Sequence, residues 1–499
     1  MAEVTGRIGR LPAAVFLLLA AYFVVNIIVR LSLPHTLELD EAEQLFYSQW
    51  RLFGYGPQPP LYNWLQTAMF ALTGKSILGL SLLKNLLLFS VYLFYWLAAA
   101  AVIRDNRLRI VAVLALLTLP QVSFMAQQDL THTVVLLSAT SLFLYAFYRI
   151  LVAPDLAFYV LAGIAVGLGF LAKYNFPLLP IAALLAVLPE RDLRSRIFNW
   201  RLLLAIAIAA VIVLPHAFWL MHNLGAATAR TLEKMNEDGH AWNLMSPIQG
   251  IASLAVAGIA FSALTMLLFV AVYRRSVWTV LRSRSTPIAI TERMLLLLLI
   301  ALAVVVIASG ATHIRERWLD PFLLVLPLYL AMKIEAAGLA ERVTRKPLIA
   351  IALLIMIAVP ASLYLRVATS TMTGDYTKLN VPFDRFAAQV AADGKIAPGL
   401  VLAEDRHLAG NMLLNLPDTP VMTTQYPDFV LPWAKDKPIL VVWRSKPDGQ
   451  IPAPLKAWLD NNAGPRDHEA AIRAIDLPYH YARDGEQYRF RYVMIEPVP

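Results

Sequence analysis

The sequence predicts an all-α polytopic membrane domain of about eleven transmembrane helices, interfacial helices in its first external loop, and a small C-terminal α/β domain. Three observations carry this. The 499 residues are 59% hydrophobic and only 15% charged, with a mean hydropathy of +0.60, which no soluble domain of this length tolerates. Apolar runs of bilayer length follow one another to about residue 366. Beyond Ala368 the composition becomes ordinary.

The same composition excludes several functions. With no cysteine in the chain, disulfides, thiolate catalysis and cysteine metal ligands are excluded. The net charge of +9 could suggest nucleic acid, but the Lys and Arg residues sit in short loops between apolar runs, as membrane topology requires. No nucleic-acid partner is expected.

The first apolar run, 11–33, follows Arg7 and Arg10. Its length and lack of a small-residue cleavage site identify a retained span rather than a signal peptide. Next comes LELDEAEQLFYSQWRLFGYGPQPPLYNWL, residues 37–65. A helix over 39–53 would set Leu39, Phe46, Trp50 and Phe53 on one side and Asp40, Gln44, Tyr47 and Arg51 on another. Gly54, Gly56, Pro57, Pro59 and Pro60 would then end it. Asp40 and Glu41 are thereby expected at the membrane boundary.

Further spans are expected at 77–103, 108–126, 131–150, 156–172, 176–189, 202–221, 247–273, 294–310, 318–334 and 347–366. Arg104, Arg107 and Arg109, then Arg149, then Arg191, Arg194, Arg196 and Arg201 mark alternate ends of these spans. So do Arg274, Arg275, Arg282, Arg284 and Arg293, then Lys333, Arg342, Arg345 and Lys346. The positive-inside rule makes that side cytoplasmic. The segments 34–76, 127–132, 173–175, 222–246, 311–317 and the tail after 367 fall on the opposite side. Two domains are expected, 1–366 in the membrane and 367–499 outside. The tail alternates a helix at 383–393, strands at 399–403, 438–443 and 488–496, and a helix at 452–461, an α/β pattern.

Charges at or inside the outer boundary are costly unless they work or are paired. Lys84, within SLLKNLLLF, lies about two turns into its span, where a lysine prefers a carboxylate or phosphate partner over snorkelling. Asp129 and His132 in QQDLTHT stand one helical turn apart and would share a face. Lys173 occupies an external hairpin, and HIRERW supplies His313, Arg315, Glu316 and Arg317. Together Lys84, Lys173, Arg315 and Arg317 suit an anionic headgroup, since ammonium groups and guanidinium forks bind phosphate well. The loop 222–246 has the length and charge of a gate. His216, His222, Glu233, Glu237, Asp238 and His240 form no recognisable metal spacing, so no essential metal or other cofactor is expected.

Asp40-Glu41-Ala42 on a first external loop, followed by Pro59-Pro60-Leu61-Tyr62 and Trp64, resembles the GT-C superfamily of integral-membrane glycosyltransferases. Within it the pattern is similar to the protein mannosyltransferase-like and aminoarabinose lipid A transferase-like branch. Gly167-Leu168-Gly169-Phe170-Leu171-Ala172-Lys173 and Arg317-Trp318-Leu319 with Pro321 also resemble segments of these enzymes. DEAEQ with GPQPPLYNWL is most similar to rhizobial-type galacturonosyltransferases of the lipopolysaccharide core. Gln58 departs from the basic residue that many members place before the Pro-Pro pair.

The resemblance implies transfer of a sugar from a polyprenyl-phosphate donor to a lipopolysaccharide or lipid A-type acceptor on the periplasmic side of a bacterial inner membrane, with inversion. The N-terminus would be cytoplasmic and the protein a monomer in contact with membrane lipid. Asp40 would be the general base, Glu41 would position it or the acceptor, and Asp129 would pair with Lys84 or orient the sugar. Lys84, Lys173, Arg315 and Arg317 would hold the donor phosphate, with Tyr62, His132 and Gln58 completing the substrate-binding set. Transfer to protein or another envelope glycan is an alternative. A transporter of an anionic lipid-linked substrate would also line a path with cations, but no internal repeat is visible and the cations favour one face.

Overall fold

The computed structural model describes residues 2–225, 245–340, 345–393, 397–444, 449–464, 472–483 and 485–497. Among the described residues, seven helices are long and apolar enough to cross a membrane: Pro12–Ser32, Ile77–Val102, His132–Val152, Trp200–His222, Ser246–Arg282, Thr286–Ser309 and Pro347–Ala368. The pair Asn106–Thr118 and Gln121–Asp129, bent by 72°, makes eight if it is one span. Pro120 explains the bend, because it offers no amide to the preceding turn. Two expected spans are short helices, Leu156–Ala172 and Leu178–Val187. The run at 318–334 divides into Asp320–Leu323 and Leu326–Ala336, each opened by a proline near its start. The structure therefore does not confirm a count of eleven.

The chain forms two compact units, the first built from Met1–Val24, Leu52–Tyr62 and Lys84–Val359, the second from Val25–Arg51, Asn63–Leu83 and Pro360–Pro499. Within the first, His132–Val152 is buried around almost its whole circumference, as expected of a helix apolar on every side. Leu156–Ala172 packs against it and against Trp200–His222. Close approach requires glycine: a Cβ on Gly163 would lie 2.5 Å from the Ala205 carbonyl oxygen, and one on Gly167 would lie 2.8 Å from Ile212 Cβ.

The second unit contains a five-stranded sheet. Its strands are β1 (Leu400–Ala403), β2 (Val421–Thr423), β3 (Ile439–Arg444), β4 (Arg473–Pro478) and β5 (Gln487–Ile495), in the order β2-β1-β3-β5-β4. β1 pairs in parallel with β2 and β3, while β5 pairs antiparallel with β3 and β4. Leu400, Leu402, Val441 and Trp443 meet Leu455 and Leu459 of the helix Ala453–Asn462 on one face. On the other, Phe386 of the helix Phe383–Asp393 stacks on Phe490, ring centroids 4.2 Å apart. The sequence pattern located three of these strands and both helices. It did not reveal the helix Arg406–Asn415, β2 or β4.

The helix expected over 39–53 is nine residues long, Leu39–Tyr47. Ser48 ends it, its hydroxyl donating to the Leu45 carbonyl at 2.6 Å. Gln49 then docks on β2, donating to the Val421 carbonyl and accepting from the Val421 amide, both at 3.0 Å. Gln44 and Tyr47, placed on a polar face by the sequence pattern, are buried. Gln44 accepts from Asn63 at 2.9 Å, and Tyr47 packs edge-on against Tyr426 and Phe429. The polar side of this helix is thus packed as well as its apolar side.

Candidate active site

In the second unit, the segment preceding Leu39–Tyr47 is held by the helix Arg406–Asn415. The Leu37 amide donates to Asn411 Oδ1 at 2.9 Å, and His407 Nε2 donates to the Leu37 carbonyl at 2.8 Å. Gly410 lets the two helices touch: a Cβ there would lie 2.2 Å from the Ala42 carbonyl oxygen. Glu38 caps the helix in a reciprocal box with Glu41 and forms an ion pair with Arg366. Burial pushes the Glu38 carboxyl above its usual range, with Arg366 opposing.

Glu41 is buried and gripped by the Arg30 fork, Nε to Oε1 at 2.9 Å and NH2 to Oε2 at 2.6 Å, while Oε2 also accepts from the Glu38 amide at 3.0 Å. Arg30 reaches on to the Thr36 carbonyl at 2.7 Å. Such a carboxylate is a fixed strut. Asp40, beside it in the first turn, is half-buried, so solvent reaches it, and the helix N-terminus favours its charge. Of the adjacent pair, Asp40 is the more exposed to solvent.

In the first unit, Lys84 is buried on Ile77–Val102. Its ammonium donates to the Gln127 carbonyl over 3.4 Å, and no carboxylate lies within ion-pair distance among the described residues. Gln127 is itself fixed by Asn85 at 2.8 Å. An ammonium taken out of water with one long hydrogen bond is expensive, so this is a ready seat for an anion.

Asp129 and His132 do not share a helical face. Asp129 ends the short helix Ala126–Asp129, Leu130 is extended, and His132 begins the next helix. His132 is buried, hydrogen-bonded to the Pro59 backbone carbonyl, with its ring 5.9 Å from that of Tyr62. Gln58, next in the chain, is half-buried. Lys173 follows directly on Leu156–Ala172 and donates to Thr133 Oγ1 at 2.6 Å. Gly169 permits the turn after it, since a Cβ there would meet the Phe176 ring at 2.3 Å. That accounts physically for one glycine in the segment Gly167–Lys173.

Arg315 and Arg317 are half-buried around Glu316, whose Oε2 accepts from Gln121 Nε2 at 2.9 Å. Beside them lies Asp320, fully buried, with neither carboxylate oxygen hydrogen-bonded among the described residues. The charges of Lys173 and Arg317 act on it. Asn175 braces this turn through the Trp318 carbonyl at 2.9 Å. Sequence reasoning missed Asp320 because it opens an apolar run; an acid within such a run was the available signal. Thr133, Asn175 and Gln121 carried no signal at all.

His216 is engaged by Tyr174 at 3.0 Å and by the Phe53 carbonyl at 2.7 Å. Most of the expected gate at 222–246, including Glu233, Glu237, Asp238 and His240, lies outside the described residues.

Residues 57–219 match the family described as dolichyl-phosphate-mannose-protein mannosyltransferase. The chain is 46% identical over 483 residues to the lipopolysaccharide core galacturonosyltransferase RgtB of Rhizobium johnstonii, covering 96% of this chain and 97% of that one. It is 45% identical to RgtA of the same organism, again over 96% and 97%. Among solved structures, ArnT from Cupriavidus metallidurans in the apo state matches with a TM-score of 0.56 at 16% identity, over 99% of this chain and 98% of that one. ArnT bound to undecaprenyl phosphate gives 0.55 at 17% identity, over 95% and 97%. The last two share the fold.

Proposed function

Since the chain belongs to the family of lipopolysaccharide core galacturonosyltransferases, multi-pass membrane enzymes of the GT-C fold, we propose that it moves galacturonic acid from a polyprenyl-phosphate carrier to a lipopolysaccharide core sugar. Identity of 45% and 46% over 96% of this chain to two such transferases supports the reaction class. The single structural observation that carries a phosphate-bearing donor is Lys84, a buried cation whose one hydrogen bond among the described residues is to a backbone carbonyl. Undecaprenyl phosphate bound to an enzyme of the same fold supports the lipid carrier.

In the proposed reaction Asp40 takes the proton of an acceptor hydroxyl as its oxygen attacks the anomeric carbon. The bond from that carbon to the phosphate oxygen breaks with inversion, and the lipid phosphate leaves with the electron pair. Lys84, Lys173, Arg315 and Arg317 neutralise the departing charge. Glu41, immobilised by Arg30, fixes the turn that carries Asp40. Tyr62, His132 and Gln58 contact the sugars, and Asp129 orients the donor sugar. The cation excess also suits the carboxylate of a uronic acid. Residues 1–366 act as the catalytic membrane domain and 367–499 as a periplasmic domain, in a monomer of the inner membrane.

The test is mass spectrometry of envelope glycolipids from cells lacking the gene, complemented with wild type or Asp40→Asn. Loss of a uronic acid mass, restored by wild type alone, is the expected result. Restoration by Asp40→Asn would overturn the base assignment. Equal transfer of neutral and acidic sugars from the same carrier by purified protein would overturn the uronic acid reading.

A further inference from the structure

A cavity of about 500 Å3 opens in the first unit among His132–Val152, Leu156–Ala172, Leu178–Val187 and Trp200–His222. Its walls are apolar, with Phe147, Val166, Ile181 and Ala210 among them, and Ile150, Tyr159, Ile197 and Leu202 line one end. That volume lies in the range of small-ligand sites. The end with Tyr159 is rimmed by arginine. Arg149 and Arg196 immediately precede and Arg201 immediately precedes three of those lining residues in the chain.

Each guanidinium is held in place with no acidic partner among the described residues. Arg149 lies over the Phe158 ring at 4.7 Å, and its Nε is buried with no hydrogen bond. Arg196 donates to the carbonyls of Leu151 and Val152 at 2.6 and 3.1 Å. Arg201 donates to the Pro154 carbonyl at 3.2 Å, with its Cζ 5.9 Å from the Tyr159 ring. The Tyr159 hydroxyl ties the rim together, donating to the Arg196 carbonyl and accepting from Asn199 at 3.1 Å. Of the acids near these arginines in sequence, Asp155 accepts the Ala157 amide at 2.9 Å as a helix cap, Glu190 pairs with Arg293, and Asp192, one helical turn before Arg196, forms no ion pair with it among the described residues. No ion pair involves any of the three arginines among the described residues.

We propose that this cavity and its rim bind an anionic phospholipid of the surrounding bilayer, with an acyl chain between the helices and the phosphate on Arg149, Arg196 and Arg201. Charge complementarity selects the occupant: an apolar slot ending in three unneutralised cations matches an acyl chain ending in a phosphate. A zwitterionic headgroup would bring its own cation to the same rim. The charged rim is separate from the proposed donor-phosphate seat, although the other end of the cavity, at Phe170 and Pro177, approaches Lys173 in the chain. Tyr159 and Lys173 lie fourteen residues apart along one helix and its cap, which is about 20 Å. The positive-inside rule sets the rim on the cytoplasmic side.

The experiment is native mass spectrometry of the detergent-purified full chain, titrated with phosphatidylglycerol or with phosphatidylcholine of the same acyl chains. Wild type is expected to retain phosphatidylglycerol about tenfold more tightly, and Arg149→Gln with Arg201→Gln to lose that preference. Ala210→Trp, at an exposed position on the cavity wall, is expected to weaken binding of both lipids. Equal retention of the two lipids by wild type would overturn the proposal without recourse to any variant. So would an unchanged preference in the double variant, or undiminished binding by Ala210→Trp. Displacement of phosphatidylglycerol by undecaprenyl phosphate, lost in the same variants, would assign the cavity to the donor instead.

Discussion

Replacing Gly410 with alanine tests whether the second unit sets the position of Asp40. In a helix interior alanine is favoured over glycine by about 1 kcal/mol, so with room to spare the substitution would stabilise. There is none: the new methyl would lie 2.2 Å from the Ala42 carbonyl oxygen and 2.6 Å from its C and Cα. All three are backbone atoms, which cannot rotate away, so Leu39–Tyr47 must move by roughly 1 Å to restore van der Waals contact. Overpacking of this kind costs about 1–3 kcal/mol and exceeds the propensity gain. Asp40 stands two residues before Ala42, and a shift of about 1 Å in a reacting group can lower a rate about 100-fold. The assay is uronic acid transfer from a polyprenyl-phosphate donor, per mole of folded monodisperse protein, with Tm measured alongside. Expected are a Tm a few degrees lower and kcat reduced by one to two orders of magnitude. A Gly410→Ala protein with raised Tm and wild-type kcat would refute the contact and the positioning argument together.

Lys84→Met should lower kcat/KM about 100- to 1,000-fold through lost stabilisation of the leaving phosphate, while Tm holds or rises because a buried charge is removed; a lowered Tm with intact turnover would contradict this. Glu41→Gln leaves Arg30 buried opposite a neutral partner and should cost about 3 kcal/mol, with much of the loss recovered in Arg30→Met with Glu41→Met; denaturant midpoints of the single and double variants decide. Burial pushes the His407 imidazole down to about 4 from the ordinary 6.5, so the unfolded chain takes up the proton first as pH falls. The stability this group contributes is complete above about 6.5 and is lost progressively towards 4. Tm should therefore fall between pH 7.5 and 5, and by less in His407→Gln, which melting curves across that range would detect.

Where the sequence alternated cleanly, it was legible. The expected helix at 383–393 is the observed Phe383–Asp393, and the strands at 399–403, 438–443 and 488–496 lie within a residue or so of β1, β3 and β5. β2 and β4 escaped because one has three residues, and the other, RAIDLP, ends in proline and is largely exposed. Arg406–Asn415 escaped because its burial, including His407 and Asn411, is polar as well as apolar, so no apolar stripe shows. The site was half-readable for a related reason. A lysine in an apolar run stands out, as Lys84 does. Asp320 stood at the edge of a run and passed for its beginning, and the strut role of Glu41 depends on Arg30, eleven residues back in a different helix.

The treatment of charge sets Lys84 apart from several other buried charges of this chain. Within the second unit, the acidic residues around Asp40 are each given an arginine: Glu38 has Arg366, Glu41 has Arg30 and Glu43 has Arg406. A buried lysine elsewhere in the first unit is treated the same way, Lys333 pairing with Glu292 at 2.7 Å and donating to two carbonyls. A chain able to neutralise those groups could have placed a carboxylate beside Lys84, and retaining a buried unneutralised ammonium lowers stability. On the proposed reading, that cost is offset when the donor phosphate arrives and leaves with the reaction. A carboxylate fixed at Lys84 would occupy the seat proposed for the donor phosphate, so a substitution that pairs Lys84 should stabilise the protein and inhibit transfer at once.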